Sequence, residues 1–255
     1  MATALITGGT SGIGAAFARA LAARGHDLVL VARNADRLSE VSTELKERYA
    51  VSVETIVADL AVRDEAVGIA ERLMSAERPI DMLINNAGFG IRAKLTDVDT
   101  TPHEHGIDVM IRAVLILGAA AGRTMLQRGA GTIINVSSTA GFLATGGYAA
   151  IKAWVTTYTE SLANELHGSG VTVTALCPGW VRTEFHERAK IKIGSIPDLL
   201  WLDADRLVAD CLEDVVAGKV ISIPSKRYTL LISICERLPH RTVRAVSRIL
   251  MSSRH

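Results

Sequence analysis

The stretch ATALITGGTSGIGAAFARALAARG, residues 2–25, decides the fold. ATALIT (2–7) is a short β-rich run, apolar nearly throughout, as expected of a strand buried on both faces of a sheet. AAFARALAAR carries apolar residues at three- and four-residue spacing, the pattern of a helix with one buried stripe. Between them lies TGGTSGIG (7–14), a glycine-rich turn that feeds a helix N-terminus. Such a turn suits a pyrophosphate, because unpaired backbone N–H groups and the helix dipole point at the anion. Glycine allows close backbone approach and unusual φ/ψ angles. Gly8, Gly12 and Gly14 are spaced G-x-x-x-G-x-G, not G-x-G-x-x-G, so taken alone an ordinary tight turn is the other reading.

The same alternation continues outward. Six more β-rich runs follow: DLVLVA (27–32), VSVETIV (51–57), DMLIN (81–85), GTIINVS (131–137), VTVTALC (171–177) and KVISIP (219–224). Helical patterns such as ADRLSEVSTELKERY and DEAVGIAERLMSA separate the earlier ones. This β-α order implies an α/β fold, a parallel sheet with helices on both faces. With no internal repeat and no low-complexity linker, residues 1–224 read as one domain. Residues 184–203, EFHERAKIKIGSIPDLLWLD, lack a clear period and are expected to form a lid over a site. Residues 225–255 form a basic extension, with Lys226, Arg227, Arg237, Arg241, Arg244, Arg248 and Arg254 against only Glu236. It reads three ways: an arm for packing or for a homodimer or homotetramer, a peripheral membrane-surface helix, or solvated arginines near a disordered end.

Composition narrows the function classes. At 49% hydrophobic and 22% charged residues the chain resembles ordinary soluble proteins. A net charge of +1 and 4% aromatics offer neither a field nor a stacking platform for nucleic acid. Cys177, Cys211 and Cys235 are scattered, which suggests buried thiols in a reducing compartment, not a disulfide framework or metal knuckle. His103 and His105, flanking Glu104, do not share a helix face, so a solvated helix start is expected there and no metal site. No basic leader or cleavage site precedes the first strand, and no apolar run approaches a membrane span. A cytoplasmic protein is expected, peripheral to membranes at most.

The second strand ends at Val31-Ala32-Arg33. A carboxylate there would hold the adenosine ribose, whereas a cation accommodates a 2′-phosphate. Ala32 leaves the acidic position empty and Arg33 supplies the cation, which favours NADP(H) over NAD(H). A solvated surface arginine is the alternative.

With that, the chain resembles the short-chain dehydrogenase/reductase family over residues 2 to 224. Four motifs carry the resemblance in order: TGGTSGIG (7–14), NNAG (85–88), YAAIK (148–152) and PGWVRT (178–183). The resemblance implies a doubly wound, Rossmann-type sheet of seven parallel strands that binds NAD(P) and transfers hydride to or from a carbonyl carbon. It implies cofactor contacts at Gly8, Thr10, Ser11, Gly12, Ile13 and Gly14 in the turn. Asp59 and Leu60 follow at the adenine, Asn86, Ala87 and Gly88 at the cofactor floor, and Pro178, Gly179, Val181 and Thr183 near the nicotinamide. Ser138, Tyr148 and Lys152 would be catalytic, Ser138 being preferred to Ser137 because S-x-x-G is the family's context.

Tyr148 and Lys152, four residues apart beside a helix expected over 150–167, share one face. A neighbouring ammonium would lower the tyrosine pKa from about 10, making Tyr148 a general acid or base. Lys152 would also hold the nicotinamide ribose. Two departures from the family stand out. Met110 occupies the position where an asparagine usually helps hold a water in the proton relay, and the Ser138–Tyr148 segment is short. The expected function is an NADP(H)-dependent oxidoreductase interconverting a carbonyl and an alcohol on an apolar substrate, 3-oxoacyl or steroid-like. A catalytically weak NADP-binding regulator or scaffold is the alternative that Met110 raises.

Overall fold

The computed structural model describes residues 2–184 and 197–252, with side chains to residue 249. Most of the expected lid, residues 185–196, lies outside the described residues. All seven expected strands form and pair in parallel: β1 (Thr3–Thr7), β2 (Asp27–Ala32), β3 (Val53–Val57), β4 (Met82–Asn85), β5 (Gly131–Val136), β6 (Val171–Leu176) and, later in the chain, Ile221–Ser222. The sheet order is β3-β2-β1-β4-β5-β6 followed by Ile221–Ser222, so the winding direction reverses between β1 and β4. Ligands of such sheets bind outside the carboxyl ends at that reversal. A small second sheet pairs β7 (Trp180–Val181) with β8 (Trp201–Leu202), so Ile221–Ser222 is β9. The period of the sequence gave no sign of β7 or β8, because two-residue strands are too short to show alternation.

Adjacent residues of each central strand feed opposite faces, as a period of two requires. Ile6, Leu30, Ile84 and Ile134 pack beneath α1 (Gly12–Ala22), α2 (Ala35–Tyr49) and α7 (Ala204–Val216). Leu5, Val29, Leu83 and Ile133 pack beneath α3 (Arg63–Leu73), α5 (Ala113–Arg128) and α6 (Gly147–Glu165). Strands buried this way need continuous apolar runs, which the sequence has. The edge strand β3 is the exception: Thr55 and Val57 are exposed or partly so.

Helix α6 starts at Gly147, three residues earlier than expected, so Tyr148 lies within its first turn. Gly146, at φ +113°, turns the chain into it, a conformation that side-chain-bearing residues rarely adopt. Helix α4 (Thr101–Ile107) runs through a π-helical segment, Asp108–Arg112, into α5. Together Thr101–Arg128 is long and apolar enough to cross a membrane by length and composition, which corrects the sequence expectation. Met110, Leu117, Ala121 and Met125 on it are buried in the core beside α3 and α6. The C-terminal extension, expected among other readings to be disordered, forms α8 (Lys226–Arg237) and α9 (His240–Ser252).

Buried amides join the layers. Asn85 Nδ2 donates to Asn135 Oδ1 at 2.9 Å across the β4–β5 pair, and Asn135 Nδ2 donates to Thr159 Oγ1 of α6 at 3.0 Å. Every link is satisfied, so this polar chain fixes α6 against the sheet without leaving a buried group orphaned.

Candidate active site

The glycine turn sits at the carboxyl end of β1. Gly8 (φ +66°) and Gly12 (φ +53°) adopt left-handed conformations, and a Cβ on Gly14 would lie 2.2 Å from the Gly8 carbonyl oxygen. Only glycine fits at Gly14, and the close approach keeps the turn tight. Ser11 caps α1 without any side-chain hydrogen bond, and no acidic residue occupies the first turn. The donors of that turn are therefore left for an anion. Thr183 closes the turn from the far side, 3.3 Å from where a Cβ on Gly12 would sit. A cavity of about 330 Å³ beside the turn is lined by Thr10, Ser11, Gly12, Arg37, Thr183 and Glu184 among others. It runs toward α2 and does not reach Tyr148; the strand ends, not this cavity, locate the reacting groups.

Arg33 and Asp59, from the ends of β2 and β3, face each other at 3.8 Å, a loose and largely exposed ion pair. Leu60 is buried beside them. Asn86 clamps the turn to β4: its Nδ2 donates to the carbonyls of Thr7 (2.9 Å) and Gly8 (3.2 Å). Ala87 N donates to Thr7 Oγ1 at 3.1 Å. Gly88 lies where Met110 and Lys152 converge; a Cβ there would be 3.0 Å from the Met110 sulfur and 3.7 Å from Lys152 Nζ. Pro178 offers its carbonyl to Thr139 N (2.9 Å) and Thr139 Oγ1 (3.1 Å). Val181 is buried in β7, and Gly179 packs against the Tyr228 ring, which leaves no room for a Cβ.

Ser138, Tyr148 and Lys152 come together. Ser138 and Tyr148 share a side-chain hydrogen bond. Ser138 Oγ also accepts from Ala140 N at 3.1 Å, which fixes the turn Thr139–Phe142. Ser137 faces away: its Oγ donates to the Lys152 carbonyl at 2.7 Å and contacts Thr156 Oγ1 at 2.7 Å in a buried cluster. Lys152 is 4% exposed and donates from Nζ to the Val136 carbonyl at 2.8 Å. Its Nζ lies 5.7 Å from the centroid of the Tyr148 ring. Burial takes the Lys152 ammonium down to about 8, opposed by the neighbouring Cys177 thiol. Tyr148 is half-buried, and that burial holds its pKa above 10 despite the Ser138 bond. This corrects the expectation that Lys152 lowers it: desolvation dominates, and the influence that opposes it is the Ser138 hydrogen bond, not the ammonium.

A family model for short chain dehydrogenases matches residues 2–193. The chain belongs to the short-chain dehydrogenase family. It is 37% identical over 183 residues to an uncharacterized oxidoreductase of Staphylococcus saprophyticus, covering 71% of this chain and 78% of that one. A short-chain dehydrogenase from Sphingobium yanoikuyae, solved in complex with NADPH, superposes with a TM-score of 0.84 at 34% identity, covering 92% of this chain and 94% of that one. A bulky-bulky ketone specific alcohol dehydrogenase from Comamonas testosteroni superposes at 0.79 with 30% identity, covering 94% and 95%.

In this short-chain dehydrogenase several side chains that the sequence reading did not place complete the surroundings of the site. Met110, 1% exposed, lies inside the π-helical segment. The short loop before Tyr148 is met from outside by α9, where Ser247 Oγ accepts from Ala144 N at 3.0 Å. Tyr228, near the start of α8, donates to the Leu200 carbonyl (2.8 Å) and accepts from Trp180 N (3.1 Å). Arg37 ties α2 to the turn, with Nε donating to the Thr10 carbonyl at 3.0 Å and an ion pair to Glu184 at 2.7 Å. No motif marks Ser247, Tyr228 or Arg37, whose partners lie far away in sequence; Asn34, capping α2 by accepting from Arg37 N, was the local signal nearest to one. His103 packs on Gly147, with Nε2 3.2 Å from the Lys94 carbonyl, and His105 stacks on Phe89 with ring centroids 4.9 Å apart.

Proposed function

We propose that this oxidoreductase is NADP(H)-dependent and reduces the ketone of an apolar substrate, 3-oxoacyl or steroid-like, with Tyr148 as proton donor. The observation that carries the reading is the convergence of Ser138 and buried Lys152 on Tyr148 at the carboxyl edge of the sheet. The fit of a dinucleotide rests on the uncapped N-terminus of α1 and the close approach of Gly14 to Gly8. Gly8, Thr10, Ser11, Gly12, Ile13 and Gly14 would hold the pyrophosphate, with Asp59 and Leu60 at the adenine and Asn86, Ala87 and Gly88 as the floor. Pro178, Gly179, Val181 and Thr183 would border the nicotinamide, and Lys152 its ribose. Preference for the 2′-phosphate is supported by Arg33 at the end of β2, by the absence of a carboxylate at Ala32, and by the NADPH bound to the Sphingobium relative.

When bound, the nicotinamide supplies hydride to the carbonyl carbon. Ser138 donates a hydrogen bond to the carbonyl oxygen, and Tyr148 transfers its proton to that oxygen as charge develops there. The phenol is protonated at neutral pH, as a proton donor must be; burial raises its pKa and so weakens it as an acid, and the Ser138 hydrogen bond opposes that rise. With its pKa lowered only to about 8, Lys152 remains mainly a cation beside the donor at pH 7. The apolar substrate is supported by Leu199, Leu200 and Trp201 following the undescribed segment, and by the bulky-ketone specificity of the Comamonas relative.

The test is turnover of purified protein with NADPH and NADH against bulky ketones, 3-oxoacyl thioesters and steroid ketones. The expected result is ketone-dependent NADPH oxidation, with kcat/KM at least about tenfold above that with NADH. Absence of turnover with every ketone, while NADPH still binds, would refute the enzyme reading.

A further inference from the structure

The last two helices lie in a strongly one-sided stretch of charge. Seven of the 28 Lys and Arg residues and one of the 27 Asp and Glu lie in residues 225–255. That segment therefore holds +6, and the preceding 224 residues hold −5. The near-neutral total conceals a strong separation of charge.

The inner side of the extension is anchored to the body. Tyr228 and Ile232, one turn apart on α8, are buried, and Ser247 on α9 is buried against Ala144. The outer side is apolar. Leu230, Leu231, Ile234 and Leu238 recur at three- and four-residue spacing and are exposed, Leu230 by 64%. On α9, Val246 and Ile249 are exposed one turn apart. Arg241, Arg244 and Arg248 form a separate, exposed stripe on the same helix. Lys226, Arg227 and Arg237 are exposed on α8.

Solvation of the arginines accounts for the charge but not for the exposed Leu230, Leu231 and Ile234 on α8, followed by Leu238 at its end. A second copy of the chain would cover the leucines, but a two-fold contact between these segments brings seven cations against seven with only Glu236 on each to offset them. An anionic lipid surface meets both features, since interfacial helices bury an apolar face at the headgroup boundary while flanking cations meet lipid phosphates. We infer that α8 and α9 form a docking surface for an anionic lipid bilayer. The inner side of the same helices bonds to Ala144, in the loop before Tyr148, and to Trp180 and Leu200 at the small β7–β8 sheet. The inference stands on this surface and does not depend on which substrate is reduced.

The test is co-sedimentation of the full chain with phosphatidylcholine vesicles containing roughly a third phosphatidylglycerol, compared with pure phosphatidylcholine. The bound fraction should be at least about tenfold higher on the anionic vesicles and should fall as salt is raised. Leu231→Asp with Ile234→Asp should cut it at least about tenfold. Arg241→Glu with Arg244→Glu and Arg248→Glu should do the same, using only exposed side chains, so one arm survives if the other variant misfolds by circular dichroism. The inference is overturned by equal weak binding to both vesicles, or by anionic binding that neither folded variant reduces. It is equally overturned by a dimer in light scattering that Leu231→Asp with Ile234→Asp splits, without vesicle binding by the wild type.

Discussion

Lys152 Nζ stands 5.7 Å from the centre of the Tyr148 ring and donates to the Val136 carbonyl at 2.8 Å. The lysine is thus held by the end of β5 and not by the phenol. Burial, not pairing, dominates both groups: it pulls Lys152 down to about 8 and pushes Tyr148 up.

This has a consequence for rate. Reduction that uses the Lys152 cation should lose it as pH rises through about 8. The kcat/KM profile, which reports the free enzyme, should show an alkaline limb near that value. A flat profile to pH 10 would show that the ammonium is not needed.

Stability gives an independent check. The folded pKa of Lys152 lies below its ordinary 10.5, so between about 8 and 10.5 the unfolded chain binds the extra proton. Stability from this group therefore rises with pH across that window, and below it the buried cation costs up to about 3 kcal/mol. Lys152→Met should be more stable than wild type at pH 7, and the gap should close toward pH 10.5, read from urea midpoints. A gap that widens with pH would contradict the assignment.

Met110 packs beside Gly88 and Lys152. Met110→Asn should raise kcat about three- to tenfold by supplying a polar group to the relay, at a stability cost of about 1–3 kcal/mol if the amide is only partly satisfied. An unchanged or lower kcat in a folded variant counts against a weakened relay.

Arg33 is exposed and bound only loosely to Asp59. Arg33→Ala should raise the KM for NADPH about tenfold, less than a buried charge-assisted bond would give, and leave that for NADH nearly unchanged. Equal losses with both cofactors would remove Arg33 from 2′-phosphate recognition.

Much of this was legible in the sequence, for identifiable reasons. Strands such as LVLV are apolar throughout because both faces are covered, and Gly8, Gly12 and Gly14 are where the backbone needs left-handed angles or close approach. Ser138, Tyr148 and Lys152 were readable because a strand end and one helix face bring them together. What escaped were contacts made by distant partners: Ser247 on Ala144, Tyr228 between Trp180 and Leu200, Arg37 on Thr10. The raised Tyr148 pKa escaped as well, because spacing reveals the nearby ammonium but not the loss of water around the phenol.

The central claim is that Tyr148 passes the proton, and Tyr148→Phe tests it most directly. The ring and its packing remain while the hydroxyl bonded to Ser138 is removed. Ketone reduction should fall at least about a hundredfold while NADPH affinity, read by fluorescence titration, stays within about threefold. Wild-type turnover by a folded, NADPH-binding Tyr148→Phe protein would contradict the account.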